Sequence, residues 1–161
     1  MKPTVTASLT LLTLLLLCSL GFSQSNATGS APSADAPEFD HLALAVHDLQ
    51  KSGEFYEKVM RLKPIPEPFQ DGKHLWYRIG DHQQLHVIAS GASITHDISV
   101  HLAFHVSSLD AFRAHLDEMK VKYRPFRLTD PGPASVRPDR VKQVYFQDPD
   151  GYWIEVDDHK F

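Results

Sequence analysis

The chain has 161 residues, with 16 Lys and Arg against 20 Asp and Glu and a net charge of −4. That length fits one domain, and a mildly acidic chain without a basic run excludes nucleic acid and anionic membrane surfaces as partners. A single cysteine excludes an intrachain disulfide.

In chain order, the first segment does not read as part of a fold. Lys2 precedes an apolar stretch from Leu9 to Leu20, and Gly21-Phe22-Ser23 then puts small residues where a signal peptidase reads them. Residues 1–23 therefore read as a secretory signal peptide, and the protein is expected to be secreted or periplasmic. The alternative is an uncleaved N-terminal membrane anchor. The strongly apolar part is shorter than the roughly 20 residues of a spanning helix, which favours cleavage and no stable membrane insertion afterwards. Leu17 before Cys18 is bulky where a lipid-modification site takes a small residue. Cleavage before Gln24 removes the one cysteine, so a metal in the mature chain would rest on His, Asp or Glu. Residues 24–38, rich in Ser, Ala, Pro and Asn, read as a flexible linker, and Asn26-Ala27-Thr28 fits a glycosylation acceptor in a eukaryotic secretory pathway. The folded domain is then residues 39–161.

Phe39 to Val46 alternates as a strand, with Leu42, Leu44 and Val46 on one face and His41, Ala43 and Ala45 on the other. Asp48 suits the N-cap of a helix reaching about Met60, with Leu49, Tyr56, Val59 and Met60 near one stripe. Leu62 to Glu67 reads as a short, proline-limited edge strand. His74 to Ile79 and Gln83 to Ala89 read as a hairpin around Gly80-Asp81.

The pattern then repeats. Ile98 to Val106 is a strand with Leu102, Phe104 and Val106 on one face and His101, Ala103 and His105 on the other. Ser107 with Asp110 approximates a capping box, followed by Leu109, Phe112, Leu116 and Met119 at helical spacing. Val121 to Arg127 is a strand candidate and Leu128 to Pro138 a Pro/Gly loop. Arg140 to Gln147 and Tyr152 to Asp157 form a hairpin across Asp148-Pro149-Asp150-Gly151, whose Pro and Gly suit a tight turn. His41-Leu-Ala-Leu-Ala-Val46 thus recurs as His101-Leu-Ala-Phe-His-Val106, and the last strands end in Leu85-His86-Val87 and Ile154-Glu155-Val156. A repeat with a metal-ligand residue type at both ends of each copy suggests two similar modules with a metal between them.

With these residues, the order strand, helix, three strands, twice, resembles the vicinal oxygen chelate superfamily. Its members include glyoxalase I, fosfomycin-resistance thiol transferases, extradiol dioxygenases, methylmalonyl-CoA epimerase and bleomycin-binding proteins. The likeness spans nearly all of Phe39 to Asp158 and is most specific over Val144-Tyr-Phe-Gln-Asp-Pro-Asp-Gly-Tyr-Trp-Ile-Glu155. It implies an α+β fold: two βαβββ modules in a curled mixed sheet around a metal-binding cup, helices outside. It also implies a small-molecule substrate, one divalent metal (Zn, Ni, Co, Mn or Fe(II)), and the ligand set His41, His86, His101 and Glu155. Bacterial glyoxalase I has a glutamate where this chain has His86. The fosfomycin enzymes and extradiol dioxygenases match at His41, His101 and Glu155, which would make His86 a fourth ligand or a neighbour of the ligands. In the family the modules pair within one chain or swap between the chains of a homodimer.

Catalytic roles fall to Glu155 and to His105, which shares the face of His101 and would act as general base or substrate hydrogen-bonder. By the same parity Trp76, Arg78, Tyr145 and Trp153 are candidates for a pocket lining, and Arg137 and Arg140 for meeting an anionic substrate. His47, His82, His96 and His159 read as solvated, and His115 as a helix-surface residue. Three functions stay open: lyase or isomerase chemistry resembling glyoxalase I, an extradiol-type dioxygenase with a two-His-one-Glu site, and a non-catalytic small-molecule (drug) binding protein. N-terminal sequencing of protein secreted by an expressing host is expected to start at Gln24; a start at Met1 would show the segment retained.

Overall fold

The computed structural model describes residues 35–91 and 96–160. The expected signal peptide and nearly all of the linker lie outside these residues. Glu38–Phe161 forms one compact unit.

The chain is α+β and runs β1 (His41–Val46), α1 (Leu49–Glu54), β2 (Lys63–Ile65), β3 (His74–Arg78), β4 (Gln84–Ala89), then β5 (His101–His105), α2 (Leu109–Glu118), β6 (Ser135–Val136), β7 (Lys142–Gln147) and β8 (Trp153–Asp157). This is βαβββ twice. Each module makes a four-stranded mixed sheet, β1-β4-β3-β2 and β5-β8-β7-β6, in which the first strand pairs parallel to the fourth. Among the described residues the strands bond as two sheets rather than one continuous ladder.

Alternation decides which face is buried. Leu44 and Val46 of β1, Leu85 and Val87 of β4, Val144 and Phe146 of β7, and Ile154 and Val156 of β8 join one apolar core with residues of both helices. His41, Ala43, Ala103 and His105 lie on the opposite faces. Asp48 caps α1 as expected, accepting from Lys51 N at 3.1 Å. Beyond Glu54 the helix widens into a π-helical stretch, Phe55–Val59, closed by Met60 N donating to Phe55 O at 3.1 Å. The wider turn lets the adjacent Phe55 and Tyr56 both be buried, edge to face with centroids 5.4 Å apart. Gly53 lets the helix approach β3: a Cβ there would stand 2.7 Å from Leu75 Cδ1.

Several expectations need correction. Val121 to Arg127 is not a strand. Arg124 alone exchanges both backbone bonds with Tyr145, each at 2.8 Å, and Pro125 then has no N–H to give. Ser135 Oγ accepts the Phe126 N–H at 2.7 Å, and Ser135–Val136, expected to be loop, takes the sheet edge. The cap of α2 is Ser108, not Ser107, because the Ser108 side chain accepts from Ala111 N.

The two modules are joined through the turn between β7 and β8. Asp148 is buried, accepts from Asp150 N and Tyr152 N at 2.9 and 2.8 Å, and takes the Tyr56 hydroxyl at 2.7 Å. Asp150 accepts from His47 N at 2.8 Å and Ser52 Oγ at 2.8 Å, with His47 Nδ1 at 2.9 Å. The Tyr152 hydroxyl bridges Ala45 N and O, each at 3.1 Å. His115, expected at the surface, is 8% exposed: its Nε2 stands 3.1 Å from both Lys58 O and Val59 O, and its Nδ1 accepts from Arg61 at 2.9 Å. It ties α2 to the end of the first helix.

Burial raises the Asp150 carboxyl, but the bonds from His47 and Ser52 outweigh it and hold the pKa below its ordinary 3.8. A lowered folded-state value stabilises the fold above that ordinary pKa and loses the contribution as pH falls through the folded value. Asp150→Asn should therefore lower stability to urea most at about pH 7, and the gap to wild type should shrink towards about pH 3.

Candidate metal centre

Each half of the candidate centre follows from strand register. In the second module Ala103 lies opposite Glu155, and Glu155 lies opposite Tyr145. His101 sits two residues before Ala103 on the same face. The methyl of Ala103 leaves a diagonal path, and His101 Nε2 reaches Glu155 Oε2 at 2.9 Å. Its Nδ1 stands 2.8 Å from Ile98 O, a carbonyl that only accepts, so Nδ1 carries the hydrogen. The Nε2 lone pair then faces a carboxylate oxygen. Two acceptors at that distance need a proton or a cation between them. The donor set fits a divalent metal on chemistry alone.

Glu155 is 6% exposed. The Tyr145 hydroxyl donates to the same Oε2 and accepts from Gln143 Nε2 at 2.7 Å. Burial, then the hydrogen bond and charge of Glu155, push the Tyr145 pKa well above its ordinary value, so the phenol remains a donor. Neighbours beyond β7 cover this face. Phe126 packs on Tyr145 with centroids 5.3 Å apart, Arg124 lies 4.8 Å over the Trp153 ring, and Arg137 stands 3.9 Å from Asp157.

The first module repeats the register. Ala43 lies opposite His86, and His86 opposite Trp76. His41, again two residues earlier, lies flat on His86 with centroids 4.2 Å apart. His41 Nδ1 is 2.5 Å from Asp40 Oδ2, which assigns the hydrogen to Nδ1 and turns Nε2 the other way. His86 is 8% exposed, and its Nε2 stands 2.9 Å from Gln84 Oε1. Burial first, then the neighbouring His41, hold its pKa below the ordinary imidazole value.

The structure brings the four expected ligands together in two pairs, His41 with His86 and His101 with Glu155, one pair on each sheet. Among the described residues no three of His, Cys, Asp and Glu are grouped to hold a metal ion. His105 is exposed at the end of β5, opposite Asp157. Arg78 is exposed and donates to Asp81 O at 2.8 Å. Arg137 pairs with Asp139 at 2.7 Å, and Arg140 occupies a left-handed turn position at φ 70°. Sequence reasoning missed Asp40, Gln84 and Gln143. Their signal was adjacency to a ligand or a shared strand face. A cavity of about 510 Å³ opens beside Tyr145 and Trp153, walled also by Phe55, Tyr123, Arg124 and Phe146.

The sequence profile of the Glyoxalase/Bleomycin resistance protein/Dioxygenase superfamily matches residues 38–156. No curated protein is significantly similar in sequence. Solved structures that share the fold include the following three. A putative glyoxalase family protein from Bacillus anthracis is 22% identical, covering 78% of this chain and 97% of that one, with TM-score 0.62. Oxidase ChaP-H2 is 24% identical over 78% and 95% of the chains, with TM-score 0.63. A glyoxalase/dioxygenase from Nostoc punctiforme is 24% identical over 82% and 100%, with TM-score 0.61.

Replacing Tyr145 by Phe removes the oxygen between Gln143 and Glu155, both buried. A loss of about 1–3 kcal/mol in urea denaturation is expected. An unchanged midpoint would mean that water replaces the hydroxyl.

Proposed function

Because the chain belongs to the Glyoxalase/Bleomycin resistance protein/Dioxygenase superfamily, we propose that it is a divalent-metal enzyme whose centre is completed between two copies. The first module of one copy would bring His41, with His86 beside it, and the second module of the other would bring His101 and Glu155. The observation that carries this reading is the 2.9 Å approach of His101 Nε2 to Glu155 Oε2 with Nδ1 already bonded to Ile98. It is the geometry of a ligand pair oriented by its neighbours.

Open edges support the pairing of copies. Ala45 turns its N–H and C=O away from β4 to Tyr152. His41 and Ala43 share that parity on β1, as His101 and Ala103 do on β5, because Val106 N points to Asp157 O across β8. Phe39 and Val100, at the starts of these edges, are 61% and 77% exposed.

The leading chemistry is that of a lyase or isomerase acting on a small molecule with two adjacent oxygens. The metal, when bound, would act as a Lewis acid on those oxygens. The protein contributes the rest. Tyr145 and His101 hold the Glu155 carboxylate, and Gln143 holds Tyr145. His105, exposed on the same face of β5, is positioned to move a proton or bond the substrate. A dioxygenase acting on catechols is the second reading. It would use His41, His101 and Glu155 as its two histidines and one carboxylate.

Mixing separates a shared centre from a private one. His41→Ala and His101→Ala should each bind no metal alone. Their mixed dimers should regain binding, since one of the two sites then has every ligand. No regain after subunit exchange, or a monomer at all concentrations, would sink the shared centre. Turnover of α-ketoaldehyde hemithioacetals by zinc- or nickel-loaded protein supports the leading chemistry. Oxygen uptake with catechols after anaerobic iron loading would replace it with the second.

A further inference from the structure

At the outer edge of the second sheet the ladder splits. Arg124 and Tyr145 exchange both backbone bonds, each at 2.8 Å. Backbone groups two residues apart on a strand point the same way, so the N–H and C=O of Gln147 also face away from β8. Lys122 would be their partner, but among the described residues no backbone bond joins it to Gln147. The cavity of about 510 Å³ opens in this gap. Phe55, Val121, Phe146 and Trp153 give it apolar walls, and Lys122 and Arg124 give it basic ones. Asp148 also borders it, with its oxygens already taken by Tyr56, Asp150 N and Tyr152 N.

Arg124 is half-buried, and its guanidinium lies 4.8 Å over the Trp153 ring. Its Nη1 donates to Pro125 O and Phe126 O at 3.0 and 2.8 Å, which uses both hydrogens of that nitrogen. Nε–H and Nη2–H remain, and no acceptor among the described residues is bonded to them. Together they form a fork that matches a carboxylate through two parallel bonds. The indole and the two carbonyls fix this fork in advance, so little side-chain freedom is lost on binding. Residues 120–142 carry seven Lys and Arg against two Asp, which makes the field at this edge positive. On the first sheet the Trp76 indole lies instead on His86, with centroids 3.9 Å apart, and no arginine is stacked there. We propose that the gap between residues 121–124 and the end of β7 binds a small monocarboxylate with an apolar body, its carboxylate on the Nε–Nη2 fork of Arg124. The Gln147 N–H, facing the same cavity, is a further donor. The site uses neither His101 nor Glu155 and does not rest on the metal reading above.

The test separates charge from body. Metal-stripped protein is titrated by calorimetry with phenylacetate, with phenethyl alcohol (the body without the charge) and with acetate (the charge without the body). Phenylacetate should saturate one site and bind about 10-fold or more tightly than either control. Arg124→Gln should weaken phenylacetate about 10- to 100-fold and leave phenethyl alcohol unchanged. Should Arg124→Gln fail to fold, NMR spectra of the wild type decide. The Arg124 Nε–H and the Gln147 amide should shift with phenylacetate and stay in place with phenethyl alcohol. No saturable binding, equal affinity for the acid and the alcohol, or shifts confined to other residues would overturn the proposal. His101→Ala should bind phenylacetate as wild type does. Loss of binding there would place the carboxylate at the His101–Glu155 pair, which overturns this site and leaves the metal reading standing.

Discussion

The buried carboxylate of Asp148 organises the junction between the two modules. It closes its own turn through Asp150 N and Tyr152 N, and it takes the Tyr56 hydroxyl from the first module. Burial raises its pKa although three hydrogen bonds pull the other way. Burial and the charge of Asp148 together raise that of Tyr56. A charge kept in such a place is costly unless each lone pair finds a donor. Here the donors come from both modules, so the carboxylate is satisfied only when they are docked. The same turn aims Asp150 at His47 and Ser52 and places Tyr152 on the edge of β1.

Docking through helices and this turn has a consequence for chemistry. The apolar faces of both sheets are spent on one common core. The faces with His41, His86, His101 and Glu155 are those turned away from it. Each carries two of the four expected ligands, and among the described residues the first strand of each sheet keeps one edge unpaired by β-structure. The arrangement that stabilises one chain is therefore also the one that leaves its ligand pairs on separate sheets.

Much of this was legible in the residues. Alternation in His41–Val46 and His101–His105 gave the buried face of each strand, because side chains alternate strictly and a one-residue slip would bury the histidines. Asp48 was readable as a cap because its carboxylate serves a donor three residues on. What stayed hidden depended on contacts far apart in sequence. Nothing near His115 shows that it meets the carbonyls of Lys58 and Val59. Asp148-Pro-Asp-Gly151 reads as a turn and gives no sign that its carboxylates bind the other module. Val121 to Arg127 has strand-like residues, yet Pro125 and the Ser135 hydroxyl end the pairing after one residue. The widened turn at Phe55–Val59 was equally hidden, since burying two adjacent aromatic residues is a demand of the core, not of helical period.

The repeat is therefore faithful in geometry and unfaithful in chemistry. In both modules a methyl, Ala43 or Ala103, lies opposite the fourth-strand residue, and a histidine two positions earlier crosses the space it leaves. That construction depends on small size, and it recurs. The partners then diverge. His41 is oriented by a carboxylate, His101 by a backbone carbonyl. Either partner fixes the ring and which nitrogen carries the hydrogen. The fourth strand supplies a neutral ring in one module, held flat by Trp76, and in the other an acid held by a phenol and an imidazole. One half thus offers a geometrically fixed imidazole, and the other offers the carboxylate that would hold a cation. Two copies of one fold become complementary halves through three residues that the repeat did not preserve: Asp40, His86 and Glu155.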